Sequence, residues 1–284
     1  SHEKFSTAVI VLPDDFKIDV ASARIEYYES PAALPHVEHS SIRHDLYRRD
    51  FTINTLTISL NRQNYGELLD FFGGQRDLKE KSVRVLHNLS LIEDPTRLFR
   101  AVRFEQRLGF RIGRQTERLM RSAVRMKLVK KVGGARIRSE LRQILNEPQV
   151  ISALRRLEQF DLLKFIDPHL HFDRSVAQMI IAAEKASSWF DLLYTGEKYH
   201  RWLLYLFCLL NSLSEKGLQR VSHWLDLQPK YRELLLQLPQ ARKSLKVAHY
   251  RVGSGQSPLN SEIYHWFNGL SLETALFLMS CTDN

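Results

Sequence analysis

A chain of 284 residues, 44% hydrophobic and 26% charged, is long enough for more than one packed unit, and its balance excludes a disordered or fibrous class. Lys and Arg outnumber Asp and Glu by 41 to 32, a net charge of +9 that suits a polyanionic partner. Cys208 and Cys281, the two cysteines, are too few for a disulfide framework or a zinc cluster and point to a reducing, cytoplasmic compartment. The longest apolar run, Trp202 to Leu210, is too short to cross a bilayer.

The sequence opens without an initiator Met and enters an apolar run almost at once, which reads as a fragment of a longer chain. Alternation predicts strands over 5–12 and 16–20, joined by the turn Pro13-Asp14-Asp15. Asp19 ends the second strand, where a carboxylate near a metal site and a plain strand-end charge both fit. Residues 41–47 start a helix that runs into Arg48, Arg49 and Asp50 and then into the β-prone FTINTLTISL. Two forked cations at a helix-to-strand junction suit phosphate oxygens, and they also suit a solvated charge cluster. In LLDFFGGQRDL at 68–78, Gly73-Gly74 turn the chain after a strand ending near Phe72, and Asp70 reads as structural.

From Glu93 the period becomes helical. In EDPTRLFRAVRF, Asp94 and Arg97 are three apart and share a helical face, with Pro95 in the first turn. A carboxylate only accepts and a guanidinium only donates hydrogen bonds. Together they match cytosine or adenine, which offer an amine beside a ring-nitrogen acceptor. Asp before Pro is equally a helix N-cap. Leu98, Ala101, Val102, Phe104 and Leu108 are expected to face a core. Arg97, Arg100, Arg103 and Arg107 follow at spacings of three and four, and further arginines keep this rhythm to Arg125 beyond a break near Gly109. Gly133-Gly134 precede RIRSELRQIL, where Arg136 and Glu140 lie four apart. Helical patterns continue over 151–166, 201–213 and 231–238, with aromatics at core spacing.

Four segments, HDLYRRDFTINTL at 44–56, LLDFFGGQRDL at 68–78, EDPTRLFRAVRF at 93–104 and RIRSEL at 136–141, occur in this order. Together they resemble the class II tRNA nucleotidyltransferase and poly(A) polymerase family, over residues 1–168. The resemblance implies an α+β fold: a partial nucleotidyltransferase head with a small sheet over 1–75, a helical neck that reads the nucleotide over 76–150, and a helical RNA-binding body and tail over 151–284. It implies template-independent addition of C and/or A, from CTP or ATP, to the 3′ end of tRNA, with Mg²⁺ as the metal of the complete enzyme. Arg48, Arg49 and Asp50 would contact triphosphate and ribose. Asp94 and Arg97 would read the base, Arg100 and Arg103 match nucleotide-contacting positions, and Asp19 is the candidate catalytic carboxylate.

The chain departs from the family pattern at Ser6, where Gly is usual, at His44, where an acid is usual, and at Phe71, where Pro is frequent. Neither a Gly-Ser phosphate loop nor a D-x-D pair occurs in the 284 residues, so no metal-ligand set is expected and the chain by itself is expected to be inert. The wording resembles long family members that carry DHH-type and CBS domains ahead of the transferase. A poly(A) polymerase and a non-catalytic RNA- or nucleotide-binding module are the alternatives.

Overall fold

The structure, a computed structural model, describes residues 7–254 and 259–282. Residues 5 and 6 of the expected first strand, with the departure at Ser6, lie outside the described residues. The chain forms two compact units, Ser1–Val132 and Gly133–Asn284.

The first unit is built from short hairpins and helices. Strands β1 (Thr7–Val11) and β2 (Lys17–Ala21) pair antiparallel with Ile10 opposite Ile18 and Val9 opposite Asp19. Asp15 turns the hairpin with a positive φ of 61°, a conformation that a short polar side chain tolerates. Alternation then places Ala8, Ile10, Ile18 and Val20 on one face. Strands β3 (Arg24–Tyr27) and β4 (His36–His39) form a second hairpin with Glu26 opposite Val37. Helix α1 (Ile42–Tyr47) starts at Ser41, whose hydroxyl accepts the His44 N–H at 3.4 Å.

FTINTLTISL, expected as a strand, is mostly something else. Residues Thr52–Asn54 form a 3₁₀ turn; Thr57–Ile58 (β5) pairs with Leu68–Leu69 (β6), and Phe51 makes a single antiparallel bridge to Val85. The Thr52 hydroxyl donates to buried Asp77 at 2.6 Å, and the Thr55 hydroxyl donates to the Thr52 carbonyl at 2.7 Å. Those side-chain bonds, one within the turn and one to a distant residue, outweigh β-propensity. Asp70 is structural as read: its carboxylate accepts the N–H groups of Gly74 and Gln75 at 2.8 and 3.0 Å and so starts α2 (Gly74–Lys79).

Strand β7 (Ser82–Val83) pairs parallel with β8 (Arg111–Ile112), bracketing α3 (Ser90–Glu93) and α4 (Arg97–Leu108). Leu98, Ala101 and Val102 are fully buried as expected, whereas Leu108 is exposed. Leu108 is the last helical residue, and the chain leaves through Gly109 at φ 63°, a left-handed helix end that favours glycine. Helix α5 (Arg114–Arg125) closes the unit.

The second unit is helical: α6 (Gly134–Leu145), α7 (Val150–Gln159), α8 (Arg174–Asp191), α9 (Arg201–Leu209), α10 (Glu215–Trp224), α11 (Pro229–Gly253), α12 (Asn260–Phe267) and α13 (Leu272–Ser280). Side chains Trp202 to Leu210 are all buried, which accounts for the apolar run without a membrane; no helix among the described residues is long and apolar enough to cross one. A Cβ at Gly134 would lie 1.5 Å from the Trp224 carbonyl oxygen, so α6 can approach α10 there only as glycine. Helix α11 runs on through Pro239 to Gly253, beyond the expected 231–238 pattern.

Candidate nucleotide site

A cavity of about 560 Å³ in the first unit is lined by parts of β3, of α1 and its exit, and of α4. It gathers Arg48, Arg49, Asp50, Asp94, Arg97 and Arg100, which come from two segments about fifty residues apart in sequence. Six of the seven residues named as nucleotide-binding, from the charge junction, the spacing and the family resemblance together, share one space; Arg103 does not line it.

Arg48 is held from three sides. Its Nε and Nη2 donate to Asp45 Oδ1 at 3.1 and 2.7 Å, and its Nη1 donates to Glu26 Oε1 at 2.9 Å. Burial alone would raise the Asp45 pKa, but the Arg48 hydrogen bond and charge, with the Arg24 N–H and Arg49, hold it below the usual carboxylate range. Glu26 accepts in addition from the Tyr28 hydroxyl at 2.9 Å. Burial and that carboxylate push the Tyr28 phenol well above its ordinary range; it remains a donor at any physiological pH. Arg49, 44% exposed at its side chain, is the most open cation of the cluster.

Asp50 is tied to both segments. Its Oδ1 accepts from Phe51 N–H and Asn54 Nδ2, both at 2.9 Å, and its Oδ2 accepts from Arg100 Nε and Nη2 at 2.8 and 2.5 Å. Arg97 is buried; its Nη1 donates to the Ser90 hydroxyl at 2.5 Å and its Nη2 to the Arg48 carbonyl at 2.6 Å. The start of the arginine row, Arg97, Arg100 and Arg103, is therefore not a solvated stripe, whereas Arg107 and the arginines from Arg111 to Arg125 are exposed.

The helical geometry expected for Asp94 and Arg97 is different in detail. Asp94 precedes α4, with extended backbone at φ −133°, and Arg97 is the first residue of the helix. Asp94 Oδ1 accepts the Thr96 N–H at 3.0 Å and the Thr96 hydroxyl at 2.6 Å, so the carboxylate stiffens the helix entry. Both side chains still line the cavity.

Arg103 and Asp19 are not among the cavity's lining residues. Arg103 is buried, with its guanidinium 5.2 Å from the Phe104 ring centre. Asp19 lies on the exposed β1–β2 hairpin. Phe104, expected in the core, is half-buried and lines the cavity, edge-on to Phe51 at 5.7 Å.

Sequence reasoning missed Glu26 and Tyr28. The signal was present in the alternation Arg24-Ile25-Glu26-Tyr27-Tyr28, which puts Arg24, Glu26 and Tyr28 on one strand face. Magnesium, which the resemblance implies, does not fit these residues. Glu26, Asp45 and Asp50 are each engaged by arginine, and among the described residues no group of three or more His, Cys, Asp or Glu could hold a metal ion.

Forked cations around a cleft, a carboxylate with a guanidinium at its edge and one aromatic wall, on an α+β scaffold, are groups whose chemistry suits a nucleotide or a phosphate. Comparison with known proteins makes the class specific. The Poly A polymerase head domain family matches residues 1–84, and the family described as the probable RNA and SrmB- binding site of polymerase A matches residues 109–173. An A-adding tRNA nucleotidyltransferase from Geobacter sulfurreducens is 48% identical over 283 residues, covering 99% of this chain and 32% of that protein. A CCA-adding enzyme solved in an apo form superposes with a TM-score of 0.86 at 38% identity, over 100% of this chain and 65% of that one. A tRNA-processing enzyme solved with CTP gives a TM-score of 0.79 at 32% identity, over 98% of this chain and 72% of that one. The chain belongs to the class II tRNA nucleotidyltransferase and poly(A) polymerase family. It spans about a third of the length of the curated A-adding relatives that it matches along nearly its whole length.

Proposed function

We propose that this chain is the nucleotide-reading and RNA-binding part of a template-independent RNA nucleotidyltransferase that adds C and/or A, from CTP or ATP, to the 3′ end of tRNA in the cytoplasm. In this reading residues 1–75 are part of the head, 76–150 the neck and 151–284 the body and tail. The observation that carries it is the convergence of Arg48, Arg49 and Asp50 with Asp94, Arg97 and Arg100 on one cavity of about 560 Å³, a volume that suits a bound nucleotide. The A-adding relative and the relative solved with CTP support the substrate class.

The reaction joins the RNA 3′ oxygen to the α-phosphorus of the nucleotide and releases pyrophosphate. This chain's own residues bind and orient. Arg49, half in solvent, and Arg48, held by Glu26 and Asp45, offer forked donors to the triphosphate oxygens. Asp50, locked by Arg100 and Asn54, keeps that segment in register with α4. Phe104 gives a flat apolar wall for the base, while Asp94 accepts from its amine and Arg97 donates to its ring nitrogen. Arg103, buried behind Phe104, positions that ring. The ligands for Mg²⁺ are not among the described residues, and Asp19 is the carboxylate of this chain that we assign to the reacting end. The two cysteines are unbridged, consistent with a reducing compartment.

The test is single-nucleotide addition by the longer protein that contains this sequence, on tRNA lacking its CCA end and on unrelated RNA, with one NTP supplied at a time. Addition of C or A confined to the tRNA supports the reading. Long A-tails on any RNA support a poly(A) polymerase instead, and no addition to either RNA overturns the enzymatic reading.

A further inference from the structure

The second unit carries a cavity of its own, about 340 Å³, where α11 passes α8 and the end of α13. Helix α11 presents Arg242, Leu245, Lys246 and His249 to it, at spacings that share one helical face. Met179 of α8 forms the opposite apolar wall, and Asn211 and Cys281 close the ends. A neighbouring cavity, also about 340 Å³, shares Met179 and Cys281 and adds Lys185 with the hydroxyl residues Ser175, Ser280 and Thr282. Neither cavity has an Asp or Glu among its described lining residues.

Among the described residues no carboxylate matches the cations here. The half-buried Arg242 donates to the backbone carbonyls of Asn211 and Leu238 and makes no ion pair with a described residue. Burial pulls its pKa below the usual arginine range. A desolvated guanidinium without a counter-charge is costly to hold, and an anion in the cavity would relieve that cost. Asn211 supplies a second mark: its buried Oδ1 has no hydrogen-bond partner. A buried acceptor left without a donor is likewise unfavourable. The occupant therefore has an anionic group for Arg242, Lys246 and His249, a donor for Asn211 and an apolar body for Met179 and Leu245. The size of the cavity is that of a small organic ligand, not of a bare ion.

We infer that this cavity binds one ribonucleotide monophosphate unit, with the phosphate at Arg242, Lys246 and His249, the base between Met179 and Leu245, and an amine or hydroxyl donating to Asn211. The unit is either a free mononucleotide or a nucleotide within an RNA strand. The site is separate from the cavity of the first unit and does not depend on its assignment.

Met179 makes the site observable. The chain has four methionines, so ¹³C-methyl methionine labelling of the full 284-residue chain gives a sparse spectrum; Met120, fully buried in the first unit, is an unliganded reference, and far-UV circular dichroism melts report folding of the helical second unit. The probes are AMP, CMP, inorganic phosphate and a short single-stranded oligoribonucleotide. A saturable Met179 shift with AMP or CMP identifies a free-nucleotide site. A shift with the oligoribonucleotide alone identifies a strand-borne nucleotide. Arg242→Leu should weaken either response roughly tenfold, the loss expected for a charge-assisted phosphate contact. If Arg242→Leu lowers the helical melt and so disturbs the fold of the second unit, the double variant Lys246→Gln with His249→Gln carries the same test at the exposed side of the cavity. An unmoved Met179 with every probe overturns the inference, as does an equal response to inorganic phosphate or wild-type binding by folded variants. Asp94→Asn, in the first unit, should leave the Met179 response intact, so failure of the head assignment and failure of this site are read separately.

Discussion

In the proposed site Asp94 has two duties that one substitution can separate. Its Oδ1 accepts both the N–H and the hydroxyl of Thr96, and the side chain also lines the cavity proposed for the nucleotide. Asp94→Ala removes the acceptor of both bonds and should cost about 1 kcal/mol of stability, the usual value of a helix cap, or a fall in Tm of about 4 °C. Asp94→Asn keeps an oxygen for the Thr96 N–H, and because Asn and Asp cap almost equally well the change in stability should stay within about 0.5 kcal/mol. Base selection should respond in the opposite way. The carboxylate only accepts, so it attracts the amine of cytosine or adenine and repels the carbonyl of uracil or guanine. The Asn amide can turn either its oxygen or its N–H towards the base. One paired base contact is worth roughly 1–3 kcal/mol of discrimination, so the preference for CTP and ATP over UTP and GTP should fall about tenfold or more. Calorimetric titration of the full chain with each nucleotide at one ionic strength, beside thermal melts, measures both quantities. A stable Asp94→Asn protein that keeps its nucleotide preference would refute the base-reading role and leave Asp94 as a cap.

Asp45 sits below the ordinary carboxylate range when folded, so its contribution is present above the unfolded pKa of about 3.9 and is lost as pH falls through the lower folded value; Asp45→Asn should flatten that acid limb in pH-dependent melts. Gly134→Ala would put a Cβ 1.5 Å from the Trp224 carbonyl, and should destabilise the second unit by about 3 kcal/mol or more, read by denaturant unfolding. Arg49→Ala should weaken nucleotide binding by about 1 kcal/mol, or roughly fivefold, through one partly exposed phosphate contact, with little change in Tm. The 284-residue chain incubated with tRNA, CTP, ATP and Mg²⁺ should transfer no nucleotide, because the described residues hold no metal-ligand set; robust transfer in a gel assay would show that its carboxylates are assigned wrongly.

Much of the site was readable because it is written in charge and period. A helix-to-strand junction and a three-and-four spacing drew attention to Arg48, Arg49, Asp50, Asp94, Arg97 and Arg100, the family resemblance gave them a nucleotide-contacting role, and all six line one cavity. The hairpin turn at 13–15 and the helix end at Gly109 followed from local backbone chemistry, which neighbours in sequence decide. What stayed hidden depends on partners far along the chain. FTINTLTISL has strand composition, yet Asp77, twenty-five residues on, captures the Thr52 hydroxyl. The spacing that paired Arg97 with Asp94 gave no sign of its burial, which only the meeting of Ser90 and the Arg48 carbonyl makes tolerable. Glu26 was missed for a related reason: alternation puts it on one strand face with Arg24 and Tyr28, but its importance appears only when Arg48, twenty-two residues on, joins them.

The two halves of the first cavity are mechanically one object. Arg97 Nη2 reaches the Arg48 carbonyl, 49 positions away in sequence, and Arg100 grips Asp50, 50 positions away. The helix that carries Arg97, proposed to read the base, therefore also fixes the backbone that carries Arg48 and Arg49, proposed to face the phosphates. A guanidinium can do this because its forked donors span two acceptors, here Ser90 Oγ and the Arg48 carbonyl, where an ammonium would act as a single point. If base and triphosphate are held by one hydrogen-bonded frame, a base that misplaces Arg97 also displaces Arg48 and Asp50. The geometry of the α-phosphate then depends on the identity of the base, although no nucleic-acid template stands opposite it. Selection in such a site is expressed as positioning of the reacting phosphate as well as affinity, because a small misplacement costs far more in rate than in binding.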